Sequence, residues 1–159
     1  APALIALDAQ MVVVNGGGVE MIKAEDFFIG PDIDILKMTV LKEGDILTSV
    51  RIPGSWAGAN FYFEKVADRN TWDFALVNVA AALKIKGGVI EDLRIACGGV
   101  ECVPRRLTVV EDVVRGNKRD EEIANLAAGS ASRGAVPLNQ NHFKIPLMEN
   151  LVKRAIREA

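Results

Sequence analysis

The sequence predicts an α+β fold: the end of one α+β domain, then a C-terminal domain with a three-stranded, largely antiparallel sheet and helices on one face. Short apolar runs separated by turn residues extend to about residue 97, whereas apolar residues recur at helical spacing after residue 108. A stretch rich in small residues, at positions 54–60, interrupts the series. Strands grouped before helices are typical of α+β domains.

Composition excludes several classes of function. Half of the 159 residues are hydrophobic and a quarter are charged, as in ordinary globular domains. The formal net charge is −2 without a basic block, which argues against nucleic acid as the main partner. No apolar run approaches the roughly 20 residues that cross a bilayer. We therefore expect a cytoplasmic protein without a membrane span.

The first 30 residues predict two short elements and a hairpin. Residues 2–7 are apolar and predict a helical turn. The glycines at positions 16–18 lie between two apolar runs and predict a hairpin turn, because no helix follows directly to form a phosphate cradle. Residues 23–30 predict a short helix or turn that ends at Gly30, with Phe27 and Phe28 filling a core.

The middle of the chain predicts a domain boundary. Residues 46–52 form a strand candidate that ends at Pro53. The segment at positions 54–60 then has the composition of a linker. The predicted domains are therefore residues 1–53 and residues 54–159.

The second block predicts three strands followed by three helices. The strand candidates are residues 61–66, 75–85 and 89–97. The last two are joined by Lys86-Gly87-Gly88, which predicts a tight hairpin. The helix candidates are Thr108–Val114, residues 120–131 and residues 146–158.

A charged stretch lies between two apolar strand candidates. Lys65, Arg69 and Asp73 follow one another at four-residue intervals. Charges of both signs between buried runs often mark a loop at the edge of a site, since burial without partners would be costly. The alternative is a solvated loop with an ion pair. From these residues alone both interpretations remain open.

The residues that most often carry hydrolytic or metal chemistry are few and scattered. Cys97 and Cys102 form neither a CxxC pair nor a metal-ligand cluster, so we expect reduced thiols, with a disulfide between them as the alternative. His142 is the one histidine and has no orienting partner in a recognisable motif. We predict neither catalytic nor metal-binding residues in this chain.

Several short motifs occur along the chain. Each motif alone is weak evidence for a family, but their order and spacing together are specific. They are residues 2–9, the Asp-Phe-Phe-x-Gly element at 26–30, residues 44–53, the Lys-x3-Arg-x3-Asp-x-Ala pattern from Lys65 to Ala75, residues 94–100 and residues 104–106. With these motifs the sequence resembles the C-terminal half of the FAD-binding (medium) subunit of molybdenum hydroxylases, the carbon monoxide dehydrogenase and xanthine dehydrogenase family.

The resemblance implies an oxidoreductase subunit that passes electrons from iron–sulfur clusters via FAD to an external acceptor. Residues 1–53 would be the C-terminal part of the flavin-binding domain. Family contacts to the flavin ring map onto Ile46 and Leu47, and a family lysine near the flavin maps onto Lys65. Arg69 and Asp73 map onto the loop beside the ring. Each of these residues is a cofactor-binding candidate.

The same resemblance implies cofactors and partners on other chains. A molybdenum-binding large subunit would carry the molybdenum cofactor, and a small subunit would carry the iron–sulfur clusters. The family's two glycine-rich loops, which hold the FAD pyrophosphate, are expected in a missing N-terminal half of the FAD domain.

The chain alone is therefore expected to be inactive. A proteolytic fragment, a split-gene product and a relic remain alternatives, and so does a non-catalytic assembly or docking module that does not bind flavin by itself. The sequence specifies neither the substrate nor the electron acceptor.

Overall fold

A computed structural model describes residues 1–159 as five α-helices, one 3-10 turn and two antiparallel sheets. The elements follow in the order α1 (Pro2–Ala6), β1 (Gln10–Asn15), β2 (Gly18–Lys23), α2 (Ala24–Phe27), β3 (Ile46–Arg51), the 3-10 turn Gly54–Trp56, β4 (Asn60–Val66), β5 (Val77–Lys86), β6 (Val89–Gly98), β7 (Arg105–Arg106), α3 (Thr108–Val114), α4 (Glu121–Ala131) and α5 (Lys144–Glu158). The predicted α+β class is confirmed.

The first sheet has three strands in the order β2-β1-β3. The glycine turn joins β1 and β2 in register from Gln10–Lys23 to Asn15–Gly18, as predicted. Phe27 is buried and its ring contacts Phe28 edge-on, with 5.4 Å between ring centroids. The predicted core role of these two rings is confirmed. Strand β3 lies at one sheet edge and all six of its residues are exposed.

The second sheet contains the three predicted strands and a fourth. Its order is β4-β5-β6-β7, and every pair is antiparallel. The additional strand, β7, has two residues and pairs Arg106 with Ala96 and Arg105 with Cys97. Two residues are too short for a periodic pattern, so the sequence gives no signal for this strand.

Helices α3 and α5 pack on one face of the second sheet, as predicted, and α4 packs on these two helices. The main core consists of buried residues from the sheet and these helices, including Val79, Leu93, Val110, Leu151 and Ile156. Pro146 is tolerated near the start of α5 because the first-turn amides of a helix have no intrahelical acceptor.

The opposite face of the second sheet receives α1. Small side chains at Ala80, Ala82 and Ala96 occupy that face, since they alternate with the core-facing residues of β5 and β6. A smaller core joins Ala96 to residues of the first sheet and its helices, among them Ile5 and Phe27. The segment predicted as the end of one domain therefore packs directly on the sheet of the next.

Gly99 follows β6 and lies close to the backbone that leads into β5. Its φ is +80°, and a Cβ atom there would lie 2.8 Å from the carbonyl oxygen of Leu76 and 3.0 Å from that of Ala75. Gly88 has nearly the same φ, +79°, but a Cβ atom at that residue would have nothing within 4 Å.

Alanine at either position costs roughly 1–2 kcal/mol of folding free energy, because an L side chain disfavours the left-handed backbone conformation. We expect Gly99→Ala to lower the free energy of unfolding in urea by about 1–3 kcal/mol more than Gly88→Ala. Equal losses would contradict this contact.

Candidate functional site

Three predicted site residues meet where β4 ends: Lys65 lies on the strand, and Arg69 and Asp73 lie in the loop that follows. The Lys65 ammonium group donates to the Asp73 carbonyl oxygen at 2.9 Å. The Arg69 backbone N–H donates to Asp73 Oδ2 at 2.9 Å, and the Arg69 guanidinium lies 3.8 Å from Asp73 Oδ1. The same guanidinium donates to the Trp72 carbonyl oxygen at 2.9 Å. We call residues 67–76 the charged loop.

These contacts give the charged loop a defined shape. Its base is closed by the Leu76 N–H, which donates to the Val66 carbonyl oxygen at 2.8 Å. The hydrogen bonds of Lys65, Arg69 and Asp73 described above therefore all end on atoms of the charged loop. The interpretation as a solvated loop included an ion pair, and the structure shows one between Arg69 and Asp73.

The other two predicted site residues lie on the first sheet. Ile46 and Leu47 begin β3, where they pair with Val14 and Val13 of β1. Their exposed fractions are 63% for Ile46 and 41% for Leu47. No hydrogen bond or ion pair joins them to the charged loop. The candidate site residues thus form two groups, one on each sheet.

An apolar cleft between α1 and strands β4 and β5 was missed by the sequence analysis. It has a volume of ≈ 410 Å³. Its lining is hydrophobic throughout: Ala3, Ala6, Leu7, Phe61, Tyr62, Phe63, Ala80 and Ala81. Phe61 and Phe63 alternate with Tyr62 along β4 and are exposed. This alternation of exposed aromatic residues was the available sequence signal, because soluble domains seldom leave adjacent large apolar groups in solvent.

Arg94 of β6 forms an ionic junction with α1, with Asp8 and with α2. It donates from Nε and Nη2 to the Ile5 carbonyl oxygen at 3.1 and 2.9 Å. Its Nη2 also lies 3.1 Å from Asp8 Oδ1 and 3.4 Å from Glu25 Oε2. An arginine inside an apolar strand is itself a signal, since a buried charge needs partners.

Arg106 continues this network on β7. It binds Glu111 through two parallel contacts, Nε–Oε1 at 2.9 Å and Nη2–Oε2 at 2.8 Å. Its Nη1 reaches Glu25 Oε2 at 3.1 Å. The hydrogen bonds to Glu111 raise the pKa of Arg106, and Glu25 contributes in the same direction. The network therefore connects α2 to α3 through β7 of the second sheet.

The cysteines form no disulfide. Cys97 is fully buried, and burial raises the pKa of its thiol to about 12. Cys102 is exposed and free. The two thiols are unbonded in this structure, which agrees with the expected free thiols rather than with the alternative disulfide. No group of three or more His, Cys, Asp or Glu side chains is arranged to hold a metal ion. None of the helices has both the length and the apolar character needed to cross a membrane.

Two family models together match most of the chain. Residues 1–55 match the FAD binding domain in molybdopterin dehydrogenase. Residues 62–159 match the CO dehydrogenase flavoprotein C-terminal domain.

The chain is 31% identical to the glyceraldehyde dehydrogenase medium chain of Sulfolobus acidocaldarius, over 98% of this chain and 54% of that relative. The same identity and coverage hold for the nicotine 6-hydroxylase medium subunit of Paenarthrobacter nicotinovorans. The chain spans about half the length of the curated relatives it matches.

Solved structures share the fold. A chain of quinoline 2-oxidoreductase from Pseudomonas putida 86 superposes with a TM-score of 0.83 at 30% identity, covering 98% of this chain and 53% of that one. Carbon monoxide dehydrogenase from Hydrogenophaga pseudoflava, in a form lacking the Mo-pyranopterin moiety, gives 0.86 at 28% identity, with coverages of 98% and 54%. The chain therefore belongs to the CO dehydrogenase flavoprotein family, the FAD-binding medium subunits of molybdenum hydroxylases.

Proposed function

We propose that this chain is part of the FAD-binding subunit of a molybdenum hydroxylase, where it helps to pass electrons from iron–sulfur clusters via FAD to an external acceptor. The observation that carries the proposal is the match of both flavoprotein domains, in order, along one chain. The matched ranges also support the proposed division into residues 1–53 and 54–159. Bound FAD would supply the electron-carrying chemistry, and the protein would position and tune it.

The residues on the two sheets would divide the work of holding the flavin ring. Ile46 and Leu47 present apolar side chains on an exposed strand, which suits packing against a flat ring whose burial removes apolar surface from water. Lys65, Arg69 and Asp73 would fix the charged loop beside that ring. Lys65 would act largely through the loop, since its ammonium group donates to the Asp73 carbonyl.

The chain fits the ring of FAD better than its pyrophosphate. Phosphates in proteins are usually held by several converging backbone N–H groups. The glycines at positions 16–18 do not form such a cradle, because the Gly17 N–H donates within the turn to Asn15 Oδ1 at 2.9 Å. We therefore propose that a missing N-terminal half of the FAD domain supplies the pyrophosphate contacts and that this chain is inactive alone.

The remaining partners follow from the same proposal. A molybdenum-binding large subunit would carry the molybdenum cofactor, and an iron–sulfur small subunit would deliver the electrons. The assembly would be cytoplasmic. No substrate or natural acceptor is assigned.

A second candidate function is a non-catalytic assembly or docking module that does not bind flavin by itself. The observation that favours it is the apolar cleft of ≈ 410 Å³ between α1, β4 and β5, with the exposed rings of Phe61 and Phe63. An apolar surface of this kind is typical of a protein contact.

Native mass spectrometry of the tagged chain, purified gently from its source, separates the two functions. We expect an assembly with FAD and further subunits. An assembly without FAD would favour the docking module, and a bare chain would contradict both.

Leu47→Asp should lower FAD occupancy, with an affinity loss of about tenfold or more, because burial of a leucine contributes about 1.5–3 kcal/mol. Val19→Asp is the matched control, since Val19 is exposed on β2, at the far edge of the same sheet.

A further inference from the structure

A polar cavity of ≈ 380 Å³ lies on the second sheet, and it shares no lining residue with the apolar cleft. Its volume is within the range of small-molecule sites. None of the candidate flavin residues lines it. Its charged lining consists of four cations and two carboxylates: Lys84, Arg94, Arg106, Arg115, Asp8 and Asp92. We call it the polar cavity.

Strand register brings the cations together. Lys84 of β5, Arg94 of β6 and Arg106 of β7 are successive diagonal neighbours on the sheet face that receives α1. Diagonal neighbours in an antiparallel sheet are about 7–8 Å apart, within reach of long side chains. Arg115, which follows α3, reaches the same cavity. Cations from four separate parts of the chain therefore converge on one place.

Two of the guanidinium groups keep unused donors. Arg94 binds its partners through Nε and Nη2, and Arg115 binds its partners through Nε and Nη1. Arg106, by contrast, uses all three of its nitrogens on carboxylates. The Arg94 side chain is only 10% exposed, so its Nη1 group has little access to water outside the cavity. A ligand in the polar cavity would satisfy this donor.

Lys84 carries a charge without a carboxylate partner. Asp92 lies opposite Lys84 in the strand register but pairs with Arg115, at 3.3 Å. The Lys84 ammonium group lies instead 4.7 Å from the ring centroid of Trp56, whose side chain is buried. Lys84 is itself partly buried, and a charge removed from water usually has an oxygen partner. The polar cavity therefore contains an ammonium group that is free to bind an anion.

The surrounding acids hold the guanidinium groups in place. The carboxylates that line or adjoin the cavity each have a guanidinium partner: Asp8, Asp92, Asp112, Glu25 and Glu111. Because the charges of this network nearly cancel, directed donors rather than net charge would hold an anion. Those donors are the Lys84 ammonium group, Nη1 of Arg94 and Nη2 of Arg115.

We propose that the polar cavity binds a phosphate group, either free or as a small phosphate ester, through these three donors. The donors belong to three different parts of the chain, which suits a tetrahedral anion with at least three outward oxygens. A planar carboxylate has two oxygens and matches a single guanidinium fork better. The inference does not depend on the proposed function, since it uses none of the residues assigned to the flavin ring.

Isothermal titration calorimetry of the full chain with sodium phosphate, at constant ionic strength, tests the site. We expect saturable binding of one phosphate per chain. Lys84→Gln should bind about tenfold or more weakly, because a hydrogen bond between charged groups is lost. Lys86→Gln removes the same charge from an exposed lysine of β5 outside the cavity, and it should bind within about twofold of wild type. Absent binding, or equal affinities of the two variants, would overturn the proposal.

Trp56 fluorescence provides a readout that needs no variant of the cavity, and it remains decisive if Lys84→Gln fails to fold. In a Trp72→Phe background, Trp56 is the single tryptophan. Movement of the Lys84 ammonium group from the ring toward phosphate should change the emission saturably, with the midpoint found by calorimetry. An unchanged emission would place the phosphate elsewhere, and an equal response to sodium acetate would indicate a general ion effect. Either result would overturn the proposal.

Glycerol 3-phosphate distinguishes the two sources of the phosphate group. Tighter binding than that of inorganic phosphate would identify an ester, and weaker binding would identify free phosphate. Inorganic phosphate should also bind the native assembly that retains FAD. Loss of binding there would mean that FAD or a partner occupies the cavity and would overturn a separate site. Phosphate binding by an assembly without FAD would contradict the proposed function and leave this inference standing.

Discussion

Replacing Glu111 with alanine is expected to lower the free energy of unfolding by about 3–5 kcal/mol, the usual cost of removing one partner from a buried ion pair. The Glu111 side chain is 2% exposed and binds the Arg106 guanidinium through both oxygens. Its Oε1 also accepts the N–H of Ile95 on β6 at 3.1 Å. The variant therefore leaves a charge with fewer partners and a buried N–H without an acceptor.

Urea unfolding followed by circular dichroism measures this loss. In a thermal melt, the melting temperature should fall by about 6–20 °C, because a chain of this size loses about 2–4 °C for each kcal/mol of free energy of unfolding. Glu101→Ala is the control, since the Glu101–Arg105 pair lies near the surface and should contribute about 0–1 kcal/mol. A loss below about 1 kcal/mol for Glu111→Ala would show that the ion pair is replaced by water or by neighbouring groups.

The regular elements of this fold could be predicted because local chemistry determines them. Glycine-containing turns specify the two hairpins at positions 16–18 and 86–88, and apolar periodicity specifies α3, α4 and α5 within two residues of their observed starts. Trp72 shows the limit of such patterns. Its backbone is left-handed and its carbonyl oxygen accepts a hydrogen bond from the Arg69 guanidinium, but a tryptophan gives no local signal for positive φ.

The candidate site was predictable in part. The four-residue spacing singled out Lys65, Arg69 and Asp73. The structure joins Lys65 of β4 to the charged loop, where Arg69 and Asp73 lie. The ionic network was missed because its members come from distant parts of the sequence: Arg94 and Ile5 are 89 positions apart. A sequence pattern shows that a buried arginine needs partners, but tertiary packing decides which residues they are.

Replacing Arg94 with methionine is expected to loosen the attachment of residues 2–27 to the second sheet. Methionine preserves much of the side-chain volume but leaves Asp8 and the Ile5 carbonyl oxygen without their donor. Removing one partner from a buried ion pair costs about 3–5 kcal/mol. Glu25 retains Arg106 at 3.1 Å, so the lower end of that range is expected.

Hydrogen exchange distinguishes local loosening from general destabilisation. In Arg94→Met, amides of α1, β1 and α2 should exchange faster, while α4 and α5 keep their protection below global unfolding. Arg115→Met is the control: its contacts to Asp92 and Asp112, both 3.3 Å, are near the surface and should contribute about 0–1 kcal/mol. A uniform rise in exchange across all elements would contradict a local role.

The result bears on the candidate site because its two groups of residues lie on different sheets. Ile46 and Leu47 belong to the first sheet, and the charged loop follows β4 of the second. No direct hydrogen bond joins the two groups, so their separation depends on how the sheets are held together. Arg94 contributes to that attachment through Asp8, Glu25 and the Ile5 carbonyl. Faster exchange in α1 with an unchanged charged loop would show that Arg94 holds α1 on the second sheet while the charged loop keeps its own local structure.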